Sequence, residues 1–528
     1  MIRIITSLVA VLTVASVQAQ TTVSEAPKLV IGITIDQLRG DYFELFQHTF
    51  SEKGFKRLLN NGLVYQNMEF DFPEINSSSA IATIYTGANP FYNGIFLDKK
   101  YLADKKREVS IFDDDDFLGN YTSEKLSPKA LRVSTITDEL EVASGSSSRV
   151  YAFAPNQAQA IIMAGHAGNA AYWIEDYSGK WATTTYYKDF HWSVEQENRN
   201  GTYSTRIREY VWKPLKAISS YKAFPYTQTI SDFQHIFSGD NSYKDLKTSP
   251  YVNENICQTA LKVVSKAEMG KRSYPDFLAL TLYAGNFRGI EDKNYSLEIQ
   301  DTYARLDKDI ATLLDDVEKT VGLKNTLIFV TSTGYFDAND EYPDKVNMPD
   351  GKFFYDRCQA LLNMFLMAKY GQEQWVEYFY NNQIYLNRKL IEKKGLNLEE
   401  IQNKAAEFVI QFTGVQDVAT YTQLLTDKAN SNMSKYKNLF NKDLSGDIFV
   451  EIQPGFRIVD DKEVSVVEKR IRETAVSSPV IFYGYNIQPQ RIKRTIKAEE
   501  IAPSICRLLR IRSPNAARAK VLPELFQN

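Results

Sequence analysis

The 528-residue chain predicts an α/β fold: a doubly wound, mostly parallel sheet flanked by helices, with inserted segments. Three observations predict it. Several apolar runs have strand length and are rich in β-branched and aromatic residues, among them Leu29–Ile35, Phe277–Tyr283 and Thr326–Thr331. Such runs suit strands buried on both faces, as parallel strands are. Helical periodicities separate them over several hundred residues, the pattern of βα repetition. The first run ends directly in Asp36, and open α/β sheets bind ligands at the carboxyl ends of inner strands.

In chain order, residues 1–19 read as a secretory signal peptide: a basic start at Arg3, an apolar stretch Ile4–Val17, and the small-residue pattern Val17-Gln18-Ala19. The remainder, 20–528, reads as one α/β domain with insertions near 168–250 and 345–475. No later stretch is long and apolar enough to span a bilayer, so a periplasmic or secreted protein without a transmembrane anchor is expected. A formal net charge of −3 gives no broad basic face for nucleic acid. Cys257, Cys358 and Cys506 are widely spaced, form no metal-type pair, and read as small buried apolar residues.

After Leu29–Ile35, the spacing of Tyr42, Phe43, Phe46, Phe55, Leu58 and Leu59 predicts helix. Leu63–Phe70 reads as a strand broken by Phe72-Pro73. Ser77-Ser78-Ser79 then opens a short helix. Asp113–Asp116 reads as a solvated acidic turn, since it lacks the alternating ligands and glycine of a calcium loop. A helix is expected over Leu131–Ala143, a strand over Arg149–Phe153, and a hairpin in Ala170–Tyr187 turning at Ser178-Gly179. Leu297–Val321 is strongly periodic, with Gly322 as its stop. Cys358–Phe379, Leu398–Phe412 and Ala498–Leu509 read as helices, and Ile448–Ile452 and Val480–Tyr483 as strands.

Two positions carry candidate chemistry. Asp36 is either the cap of the next helix or a ligand at the strand edge. Ser77 stands after a strand at a helix start, where the helix field favours a nucleophile that attacks phosphate; capping by Asn76 or Ser77 is the alternative.

The order VIGITIDQLRGDY, GFKRLLNNG, a strand, a hydroxyl, then IYTGANPFYNGI resembles the alkaline phosphatase superfamily. Within it the chain is similar to the exported, phosphate-irrepressible alkaline phosphatases of Bacteroidetes, with their type I phosphodiesterase/sulfatase-like fold. The likeness continues through AGHAGNAAYW, EIQDTYARLDKDIATLL, QIYLNRKLIEKKGL, SGDIFVEIQPGF, SPVIFYGYNI and EEIAPSICRLLRI. The resemblance implies an alkaline-phosphatase-like fold with inserted cap segments. It also implies a hydrolase in which a Thr or Ser is transiently phosphorylated beside two zinc ions about 4 Å apart. Asp36 then stands at the first metal-ligand position and Ser77 at the nucleophile position. Where the family places further ligands, this chain has Asn286 and Ile290, Thr333 and Gly334, and Ser477. Asn156 and Ala158 replace the phosphate-binding Lys and Arg, and Asp98 falls near the phosphate-binding Asn.

None of the four histidines, His48, His166, His191 and His235, falls on a ligand position, and His166 is expected to be structural. Zinc needs several charged or imidazole donors, so no bound cofactor is expected, Asp36 is a retained but vacant ligand position, and Ser77 a vestigial nucleophile. The expectation is a periplasmic pseudoenzyme that binds an envelope protein or a ligand in the old cleft. The alternative is an active phosphate-ester hydrolase with Ser77 as nucleophile and a rebuilt site, in which Asp337, Asp340 and Glu341 supply oxygen ligands.

Overall fold

The structure, a computed structural model, describes residues 25–102, 107–187, 190–201, 205–222, 230, 232–289, 296–335, 351–460, 467–470 and 478–527. The signal-peptide reading therefore lies outside the described residues, as do Ile290, Asp337, Asp340, Glu341 and Ser477.

Ten strands form the main sheet. In chain order they are β1 Leu29–Asp36, β2 Leu63–Tyr65, β3 Gly119–Asn120, β4 Val150–Ala154, β5 Ala170–Ile174, β6 Trp181–Thr184, β7 Asp276–Tyr283, β8 Thr326–Ser332, β9 Val480–Gly484 and β10 Gln490–Ile492. Their order across the sheet is β10-β2-β9-β8-β1-β7-β4-β5-β6-β3. The central strands β8, β1, β7, β4 and β5 are parallel, while β9, β6 and β3 pair antiparallel towards the edges. The sheet is thus mixed α/β with the parallel centre that the buried apolar runs predict.

Strand β1 is buried along its whole length and organises both faces. Ile31, Ile33 and Ile35 enter one core layer, which helices Tyr251–Lys266 and Ser296–Thr320 also line. Val30 enters the other, with helices Ser77–Thr86 and Gln157–Ala164. This alternation follows from the two-residue strand period. Gly32 lies under the ring of Phe329 and the hydroxyl of Tyr85, which a Cβ there would meet at 2.5–2.7 Å.

Of the first segment read as an insertion, 168–250, Ala170–Ile174 and Trp181–Thr184 are strands of the main sheet, and Val194, Ile207, Trp212, Phe237 and Leu246 share the core layer of β1. The second builds its own core around a sheet of Val376–Tyr380, Gln383–Leu386, Ile448–Ile452 and Val415–Thr420, in that spatial order. Phe72, Phe96 and Leu97 of the body join Leu424, Tyr436 and Phe440 of this cap in one cluster beside the site.

Several elements differ from expectation. The helix begun near Cys358 runs Tyr355–Tyr370 and stops at Gly371, whose φ of 107° breaks it; Val376–Tyr380 is a strand. Leu63–Phe70 splits into β2 and the short strand Met68–Glu69. The helix expected from Leu131 starts at Ile136, because Thr135 and Asp138 close a capping box there. In the acidic run Asp114 is buried, accepting a 2.5 Å hydrogen bond from Ser127, while Asp113, Asp115 and Asp116 are exposed. The hairpin at Ser178-Gly179 forms as β5 and β6. Cys257, Cys358 and Cys506 are buried and free.

Candidate functional site

Four elements converge at the carboxyl end of β1. Asp36 is the last residue of β1 and is 5% exposed. Its backbone carbonyl accepts from Ala284 N–H just beyond β7, and Thr333 N–H just beyond β8 donates to Ile35. The carboxylate is therefore fixed by parallel neighbours on both sides.

The helix Ser77–Thr86 is capped by Asn76. Its Oδ1 accepts from Ser79 N–H at 3.0 Å, and Ser79 Oγ accepts from Asn76 N–H at 3.1 Å. This closes the alternative left open by the sequence: Asn76 caps, and Ser77 is released for another partner. Ser77 Oγ donates to Asp36 Oδ1 at 2.6 Å. Thr333 Oγ1 donates to the same oxygen at 2.9 Å. Gln159, in the first turn of helix Gln157–Ala164, donates from Nε2 to Asp36 Oδ2 at 3.0 Å, while its Oε1 accepts from Asn156 N–H at 3.3 Å. Gln159 and Thr333 are 2% and 0% exposed. One buried carboxylate thus accepts hydrogen bonds from two hydroxyls and an amide.

The other sequence-predicted positions take the following places. Asn286 is buried just after β7, and its carbonyl accepts from the Tyr283 hydroxyl at 2.8 Å. Gly334 adopts φ 67° and donates from its N–H to Ser332 Oγ. Asn156 is the N-cap of its helix, and Ala158, two residues on in the first turn, is buried. Asp98 stands near the Ser78 hydroxyl by the first turn of the Ser77 helix, and burial pushes its carboxyl up against the pull of that hydroxyl. Glu74, just upstream, accepts from Asn382 Nδ2 at 2.7 Å and Tyr436 Oη at 3.2 Å, tying the cap to the cleft.

The histidines are engaged elsewhere. His166 bonds Asp138 Oδ2 through Nδ1 and the Leu131 carbonyl through Nε2, both at 2.9 Å. Two acceptors on one ring require the doubly protonated form. Burial pulls the imidazole down, yet the Asp138 bond and charge outweigh it and raise its pKa. His48 meets Leu45 O, His191 meets Ser193 Oγ, and His235 meets Glu298 Oε1.

Among the described residues the donor set around Asp36 does not fit zinc. Beyond the one carboxylate it presents hydroxyls and an amide whose nitrogen faces the carboxylate as a donor. Among the described residues no group of three or more His, Cys, Asp or Glu is placed to hold a metal. Gln159 is the residue that sequence reasoning missed. It lies one position beyond the Asn156/Ala158 pair read from the sequence, and its only local signal is its place in a first turn after an inner strand.

The model of the type I phosphodiesterase / nucleotide pyrophosphatase family matches residues 30–475. A Myroides odoratus protein named calcium-transporting ATPase is 28% identical over 513 residues, covering 93% of each chain. Alkaline phosphatase PafA of Elizabethkingia meningoseptica is 26% identical over 532 residues, covering 95% of this chain and 94% of that one. The crystal structure of wild-type PafA superimposes with a TM-score of 0.82 at 25% identity, covering 95% of this chain and 99% of that one.

Proposed function

Since this chain belongs to the type I phosphodiesterase / nucleotide pyrophosphatase family, within the alkaline phosphatase superfamily, we propose that it is an exported member that binds rather than hydrolyses. Its role is to hold an envelope protein or a ligand in the cleft between body and cap. The observation that carries this reading is the bonding of Asp36. In a two-metal hydrolase that carboxylate holds a cation and the adjacent hydroxyl is free to attack. Here Ser77, Thr333 and Gln159 all donate to it. Asn156 and Ala158 stand where the family has its Lys–Arg clamp, so little there stabilises a transferring phosphoryl group.

The competing reading is a phosphate-ester hydrolase with a rebuilt site. Its specific support is Ser77, placed at a helix N-terminus and 2.6 Å from a carboxylate. The deciding experiment is hydrolysis of a chromogenic phosphate monoester and diester by the purified chain and by Ser77→Ala. Binding without catalysis predicts no turnover above buffer for either protein. Turnover that Ser77→Ala abolishes overturns it. Export is tested separately, by fractionating cells and sequencing the mature N-terminus, which the signal-peptide reading places at Gln20.

A further inference from the structure

The second insertion carries a cavity of about 400 Å3 that lies apart from the Asp36 site. It is built where the strand Gly351–Phe354 turns into helix Tyr355–Tyr370 and meets the end of helix Leu398–Val409. Its wall is phenylalanine-rich: Phe353, Phe354, Phe408 and Phe412, with Leu361 and the buried Cys358 beside them. Phe354, Phe408 and Phe412 are only partly buried and Leu361 is 37% exposed, so the wall is wet apolar surface. Phe408 is held in place by stacking on Phe365, with centroids 4.4 Å apart and planes at 13°, and by edge contact with Phe412. The wall is therefore preformed. Its volume lies at the lower end of the range of about 300–1,000 Å3 that small-molecule pockets occupy.

The polar rim has one sign. Among the described residues Lys352, Arg357, Gln411 and Thr413 line the cavity and no carboxylate does; Asp356, in the same turn as Arg357, is not in the lining. Lys352 is engaged in other interactions. Arg357, exposed at the mouth, has no ion-pair partner among the described residues. A planar guanidinium beside an aromatic wall matches one planar monoanion on an apolar stem.

We propose that this cavity binds a single-chain apolar carboxylate, with the chain along the phenylalanines and the head at Arg357. One unpaired cation suits a monoanion, and a dianionic phosphate asks for a second. The site is independent of whether the Asp36 cleft is catalytic.

Calorimetric titration of the full mature chain with hexanoate, octanoate and decanoate tests it, with 1-octanol as the uncharged control. Each methylene that enters the wall tightens binding about fourfold. Arg357→Gln is expected to weaken octanoate about tenfold while leaving 1-octanol unchanged. Leu361→Trp, at an exposed position that leaves the core intact, fills the cavity and removes binding of both. Absence of saturable decanoate binding at millimolar concentration overturns the proposal. So does 1-octanol binding as tightly as octanoate, or an Arg357→Gln variant that binds octanoate as the parent does.

Discussion

Replacing Asp36 by alanine is expected to destabilise the body by about 3–4 kcal/mol. The figure follows from what the carboxylate leaves behind. Gln159 Nε2 and Thr333 Oγ1 are buried and donate to it, and each loses a charged acceptor. A buried donor left unsatisfied costs about 1–3 kcal/mol. Ser77 is half-buried and turns to water, so its loss adds little. Removing a carboxylate that had itself been taken out of water returns part of the cost. Asp36→Asn keeps the shape and one carbonyl acceptor but sets an amide N–H against the Gln159 donor, for about 1–2 kcal/mol. The assay is urea unfolding, read as a fall in the midpoint at constant slope. A metal-binding strand edge stripped of its metal behaves in the opposite way, because removing a carboxylate there relieves repulsion. An Asp36→Ala protein as stable as the parent, or more stable, refutes the hydrogen-bonding account.

Three further perturbations follow from the same structure. Glu499 is 9% exposed, and burial pushes its carboxyl up to about 7, so the native state holds a proton that the unfolded chain releases near pH 4.5. Its stabilising contribution is complete below pH 4.5 and lost by about pH 7, up to about 3 kcal/mol, so Glu499→Gln is expected to raise the unfolding midpoint at pH 8 but not at pH 4; equal pH profiles count against it. His166 has its pKa raised by Asp138 against burial, so its contribution is full below pH 6.5 and falls as pH rises through the native pKa; an imidazole titration by NMR with a midpoint below 6.5 contradicts this. Gly32→Ala forces a methyl against Phe329 and Tyr85 in the middle of β1 and is expected to cost about 1–3 kcal/mol, checked by the same urea titration.

Much of the frame is legible in the sequence for a physical reason. A strand buried on both faces must be apolar throughout, so Leu29–Ile35 announces itself and makes the abrupt Asp36 conspicuous. The same holds for β7 and β8, and their pairing with β1 brings Asn286 and Thr333 to one edge. What stays hidden depends on tertiary neighbours. Asn76 and Ser77 are equally good caps by type, and only the reciprocal bonds with Ser79 separate them. Gln159 meets Asp36 across 123 positions because β4 lies two strands from β1, and no local pattern marks a glutamine for that. The helix expected through Phe379 fails at Gly371, where an apolar periodicity runs on into a strand of its own. Asp114 looks like its solvated neighbours until Ser127 folds over it.

The arrangement at Asp36 is tested most directly by equilibrium dialysis of the purified chain against zinc, followed by metal analysis. A carboxylate held by Ser77, Thr333 and Gln159 predicts no zinc retained after exchange into metal-free buffer, and no change in unfolding midpoint with zinc present. Two zinc ions retained per chain, lost on Asp36→Ala, contradict it.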